Sequence, residues 1–226
     1  MNKYELTDER IEIDGRTLYR IRALRSFHGV KTGDLGGFIE SEANLSQCGE
    51  CWVFNNACIY RDAKVLADAR IYENARVSMY SHVSGKAQVF GSARICGYAW
   101  VCGHAKVSGS SIVGGDAMVF ENAQVEGNSW ITEQARVGGT THAHDAYIDG
   151  KLQVGNDGSI NTATYVTGKP VVPNDLEIGD IVTLNSGGPE MTITAIDAGL
   201  YTCVRYITES RTMLLPPGCM IRKVVV

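Results

Sequence analysis

Proline is scarce in this 226-residue chain, with five residues against 25 glycines, and no apolar run approaches the length of a membrane span. The opening stretch MNKYELTDER lacks the apolar core of a secretory leader, so the expected location is cytoplasmic. In that setting the cysteines, seven and therefore odd in number, are expected as reduced thiols. Basic residues are in deficit, 21 Lys and Arg against 25 Asp and Glu, for a net charge of −4. A nucleic-acid binder needs a basic face to neutralise phosphates, so that class is disfavoured, as is a membrane-surface protein. No G-x-S-x-G occurs at a strand-to-helix turn, which removes support for Ser/His/Asp catalysis. Cys48-Gly49-Glu50-Cys51 has C-x-x-C spacing but no second pair to complete a zinc site, and its use by a metal or in redox chemistry is not favoured. The length allows one large domain or two smaller ones.

What the chain has is a repeat. From Val53 to Val137 every sixth residue is Val or Ile, fifteen in succession. Two residues before each, from Ala57 to Ala135, stands Ala or Ser without exception. Residues i and i−2 of a strand share a face, so both point inward. A small residue at one inward position in every unit implies a narrow interior. The residues between strands are rich in Gly and Asn, as in Asn55-Asn56, Gly85-Lys86, Gly91-Ser92 and Gly109-Ser110, which tolerate the positive φ of a tight corner. A helix would show a period near 3.6. The pattern predicts an all-β solenoid with three hexads per triangular coil, running from about 37 to 168, or about seven coils. Two interruptions stand out. Leu45 to Val53 is eight residues rather than six, and Val137 to Ile148 is eleven rather than twelve.

Both ends of a solenoid need covering. Residues 1–36 read as an N-terminal cap, with a hairpin turning at Asp14-Gly15. Residues 169–174 read as a linker and 175–226 as a separate small domain.

The repeat resembles the hexapeptide-repeat proteins, and that resemblance implies a left-handed parallel β-helix. Leu35-Gly36-Gly37-Phe38-Ile39-Glu40, with Leu45-Ser46-Gln47 and Gly49-Glu50-Cys51-Trp52-Val53, resembles the opening of YdcK-like proteins, a bacterial and prophage group. That likeness covers about the first 57 residues and brings no catalytic residues with it. Ile178-Gly179-Asp180-Ile181-Val182, continuing to Ile193, resembles the YodC-like small domain, which implies an SH3-like small β-barrel.

Outward residues 18 apart stack on one face of the triangle. The first face carries Phe54, Tyr72 and Phe90 beside Trp52, Arg70, Gln88 and Lys106. Such an aromatic column is too apolar to leave in water without a reason. It is expected either to pack against another subunit, with a homotrimer as the expected assembly, or to stack a small anionic, nucleotide-like ligand beside Arg70 and Lys106. Cover by the chain's own ends is the third possibility. The second face carries Tyr60, Ser78 and Cys96 with Arg76, Arg94, Ile112 and Trp130. The third carries Lys64, His82, Trp100, Met118 and Arg136 with Cys102 and Phe120.

Hexapeptide-repeat folds often host acyltransferases, so His142, His144 and Asp145 form a second candidate cluster. His142 and His144 would be the catalytic residues if the chain used acyl-CoA. In a strand these two face the same way, which a metal could also use; filling the irregular corner is the favoured reading. His104 is read as exposed at a corner. The repeat leaves no room for an extruded acceptor loop, so the expected function is a non-catalytic binding or scaffold protein without cofactor or metal. Its expected partner is a small anion or a host protein, in a phage-encoded setting. The alternatives are an acyltransferase and a purely structural spacer.

Overall fold

Three rows of strands, related by the six-residue spacing, wind into parallel stacked coils. The computed structural model describes residues 2–155 in full and, beyond them, the backbone of the strands at 159–161, 165–166, 181–184, 191–197, 200–207, 209–215 and 221–223. Face one stacks Trp52–Val53, Arg70–Ile71, Gln88–Val89, Lys106–Val107, Gln124–Glu126, His142–His144 and Ser159–Asn161. Face two runs from Cys58–Ile59 through Arg76–Val77, Arg94–Ile95, Ile112–Val113, Trp130–Ile131 and Tyr147–Ile148 to Tyr165–Val166. Face three runs from Lys64–Val65 through His82–Val83, Trp100–Val101, Met118–Val119 and Arg136–Val137 to Gln153–Val154. This shortest face has six strands, so the solenoid makes about six full turns. The expected seventh coil enters face three only as an isolated bridge, Leu45 to Val65.

The core is the repeat turned inside. Between Val53 and Val137 each inward Val or Ile, and each Ala or Ser two residues before it, is buried. Adjacent coils are joined by regular backbone bonds. Gln88 N donates to Ala105 O at 2.9 Å, Phe90 N to Val107 O at 2.9 Å and Ser92 N to Gly109 O at 2.7 Å, and the pattern repeats up the stack.

Every corner from Asn55 to Gly139 holds its first residue at positive φ, whether glycine or not. Arg61, Ala67, Glu73, Met79, Glu121 and Glu133 all adopt it, at a cost of about 1–2 kcal/mol each for a residue with a Cβ. Some recover part of that cost by reaching into the next coil. Glu73 Oε2 accepts from Gly91 N at 2.8 Å and Glu121 Oε2 from Gly139 N at 2.6 Å.

The two interruptions have separate causes. The surplus between Leu45 and Val53 makes a docking place for the N-terminus, where Gln47 Oε1 accepts from Lys3 N at 2.7 Å. At the second, Ala143 takes the inward position and pairs with Val125. The corner after it then lacks one residue relative to Gly127-Asn128. Asp145 fills the gap, its Oδ1 accepting from Asn128 N at 2.7 Å where other corners offer a backbone carbonyl.

The cap is a hairpin of β1 (Tyr4–Ile13) and β2 (Arg16–Ala23), turning at Asp14 and Gly15, both at positive φ. β2 pairs antiparallel with β3 (Leu35–Ile39), and β3 pairs parallel with Cys58–Ile59, so the cap extends face two. Tyr4 and Ile21 close the open end of the core, while Leu18 packs outside the first coils with Phe38, Cys58 and Tyr60.

At the C-terminal end, strands Ile181–Leu184, Met191–Asp197, Leu200–Ile207 and Glu209–Leu215 form an antiparallel meander. Ile221–Lys223 returns to pair with Ile181–Leu184. That is the strand order of an SH3-like small barrel. The linker at 169–174 lies outside the described residues. Among the described residues no helix is long and apolar enough to cross a membrane.

Candidate functional site

The aromatic column of face one is divided by the cap. Trp52 is 1% exposed, with Phe27 against it at 5.3 Å and Tyr4 at 6.2 Å, both edge-on. Phe54 and Tyr72 stack at 4.7 Å with 11° between their planes, and both are half-buried, as is Phe90. That spacing leaves no room for a third ring between them. Arg70 donates from Nη2 to His28 O at 3.1 Å, while Lys106 stands exposed further up. The column's cationic neighbours therefore lie apart. Arg70 instead lines a cleft of about 240 Å³ where the cap loop meets face one, with His28, Glu50, Asp68, Lys86 and Gln88. His28 Nδ1 lies 3.1 Å from Glu50 Oε2 at its rim.

The histidine cluster closes on itself. Glu126 Oε1 lies 2.8 Å from His142 Nε2 and 3.1 Å from His144 Nδ1. The His142 contact does not have hydrogen-bond geometry, and its Nε2 is buried without a hydrogen-bond partner. His144 Nε2 is 3.3 Å from Asp145 Oδ2, whose other oxygen is taken by the Asn128 backbone. His142, His144 and Asp145 are thus brought together, around Glu126, a partner the sequence pattern did not single out. Its signal was the 18-residue spacing from Glu126 to His144. Among the described residues no three His, Cys, Asp or Glu side chains are arranged to hold a metal.

The C-x-x-C pair is split by burial. Cys48 is exposed, whereas Cys51 has no exposed surface and faces Lys3 Nζ at 3.2 Å. Burial pushes the Cys51 thiol up, and the Lys3 ammonium pulls it partly back.

An exposed aromatic surface lies where face two turns into face three. Tyr80 and Tyr98 occupy successive corners and stack at 4.9 Å with 8° between planes. Beside them His82 and Trp100 stack at 5.2 Å and 12°. Tyr80 is 51% exposed, Tyr98 59% and Trp100 47%. These rings lie on one another along the solenoid axis, so their edges and hydroxyl tips point outward. Desolvation, and then the Lys64 charge, hold the His82 imidazole below its usual range. Tyr80 and Tyr98 were missed in the sequence because they fall at corner positions. Their 18-residue separation was the available signal. Trp130, also exposed, stacks on Tyr147 at 6.3 Å higher on face two.

Residues 177–211 match DUF2158, a family described as an uncharacterized small protein. The match falls within the segment set apart as a small domain and resembling YodC-like proteins. No curated protein matches the chain.

Proposed function

We propose that the chain is a non-catalytic scaffold or binding module that works as a homo-oligomer, a trimer in the hexapeptide-repeat reading, with a YdcK-like, prophage-type role of holding partners at its outer faces. The observation that carries this reading is the pairing of an unbroken ladder with an uncovered aromatic surface. From Trp52 to Val137 the coils keep their six-residue frame with no extruded loop among the described residues. An acyl acceptor site would need such a loop, and of the two histidines that would serve it His144 is hydrogen-bonded to Glu126. Meanwhile Tyr80, Tyr98 and Trp100 expose apolar surface of the kind that marks interaction sites.

A second reading, capture of a small ligand, rests on the cleft beside Arg70 and Lys86. There the two cations face two carboxylates, Glu50 and Asp68, so the cleft favours a zwitterion over a simple anion.

Light scattering of the full chain tests the main reading, with a mass of three copies expected. A single copy at every concentration overturns it, and so does turnover of acyl-CoA that is abolished by His142→Ala.

A further inference from the structure

We propose that a second copy of this chain packs on the corner between faces two and three, with the aromatic ridge of each copy lying in a trough of small residues on the next. The proposal rests on the oligomeric reading above and names the surface that carries it.

The ridge is Tyr80 and Tyr98, flanked by His82 and Trp100. Its rings already stack face to face at 4.9 and 5.2 Å, so no planar ligand fits between them. What they present is edges and phenolic hydroxyls, which suit a polarisable, neutral surface with hydrogen-bond donors at its margin. That surface exists on the other side of the same corner. Ser78, Cys96 and Gly114 succeed one another there at the 18-residue spacing, on the face-two strands led by Arg76, Arg94 and Ile112. Ser78 and Gly114 are buried and Cys96 is half-buried, so the row is low. Sulfur at a ring edge is a favourable contact, and burial pushes the Cys96 thiol up, which keeps it neutral.

Arg76 and Arg94 supply the donors. Neither makes an ion pair among the described residues, and Arg94 is exposed. Their guanidinium N–H groups can donate to tyrosine hydroxyls of a neighbouring copy. Because ridge and trough share one corner, each copy offers one half and accepts the other, a head-to-tail contact that leaves neither half unpaired when its rotation closes the ring.

The area is of the right order. Aromatic side chains bury about 150–250 Å² each when covered, so three rings about half exposed offer on the order of 300 Å². A standard interface uses about 800 Å² per partner. The ridge therefore supplies a large share, and Met118, Ile112 and Arg94 beside it extend the patch.

The experiment is sedimentation of the full chain as wild type, as Tyr98→Ser/Trp100→Ser, and as Arg94→Glu. These positions are exposed, so the far-UV circular dichroism spectrum at low temperature stays that of the wild type, while the melting temperature falls with the lost association. Self-association is expected to weaken at least tenfold in both variants. Alkylation of Cys96 by iodoacetamide is expected to run at least tenfold faster in the double variant than in the assembled wild type. If wild type assembles and both variants assemble equally well, or if Cys96 reacts equally in both, this surface is wrong while the oligomeric reading stands. A wild type that never leaves the single-copy state overturns both.

Discussion

Lys3 Nζ lies 2.9 Å from the carbonyl oxygen of Cys51 and 3.2 Å from its Sγ, and neither residue keeps any exposed surface. A buried ammonium is costly unless its donors are met. Here a carbonyl and a thiol meet two of its three donors, and Phe27 lies 5.7 Å away under the charge. Lys3→Ala leaves the Cys51 carbonyl without this donor and is expected to cost about 1–3 kcal/mol in urea unfolding. Lys3→Met keeps most of the volume and is expected to cost less. If both variants lose the same amount, the polar contact that both remove, rather than packing, holds this end.

Glycine corners carry a second expectation. Gly103 has φ +71°, and a Cβ there would come within 2.8 Å of the Glu121 backbone N and O. Gly103→Ala is expected to cost at least about 1 kcal/mol from the left-handed conformation alone. Ala67 already holds the same conformation two coils earlier in the same column, 103 − 67 = 36 residues away, so Ala67→Gly is expected to cost little or to stabilise. A thermal melt of the two variants compares them directly, and equal shifts would show that the corners absorb a Cβ freely.

The interior is narrow enough for volume to matter in both directions. Ala105 and Ile95 have no exposed surface. Ala105→Leu is expected to destabilise by about 1–3 kcal/mol through overpacking, and Ile95→Val by about 0.5–1.5 kcal/mol. Urea midpoints check the order, and a tolerated Ala105→Leu would contradict a close-packed core.

Alkaline pH is expected to weaken the cap. Burial pushes the Cys58 thiol up from about 9 to about 11, against the lowering pull of Arg76 and Arg20. The folded state therefore holds this proton more tightly than the unfolded state does. The corresponding stability is fully present below about pH 9 and is lost as pH rises through about 11. Two pH units correspond to a ceiling of roughly 2–3 kcal/mol. Burial also raises the Cys51 thiol and the Tyr4 and Tyr60 hydroxyls, so the measurement is a difference. Melting temperatures of wild type and Cys58→Ser are compared at pH 8 and pH 10.5, and the wild type is expected to fall further. Parallel falls would remove Cys58 as a cause.

The solenoid was legible because one physical constraint acts at every sixth residue. Val and Ile alternate with Ala and Ser along the chain for the same reason that they fill the narrow interior. The shortened coil near His142 was legible as a spacing of eleven. Its repair was not, because Asp145 looked like a ligand beside two histidines, whereas its carboxylate replaces a missing corner carbonyl. The state of Trp52 was also hidden. An outward position has the same period whether it meets water or the loop that brings Phe27 over it. Tyr80 and Tyr98 escaped notice because corner positions were read for their turn-forming residues, although their side chains project outward as freely as those of the strands.

The backbone ladder has a consequence for size. Gln88 pairs with Lys106 in the next coil, 106 − 88 = 18 residues on, and no coil in mid-stack depends on one beyond its neighbours. Overall length is thus a tally of identical steps of about 4.8 Å. Removing residues 88–105 would bring Ala87 onto Lys106 in frame and leave both ends unchanged. Such a molecule is a ruler whose graduations can be added or struck out one at a time, provided that each change counts eighteen.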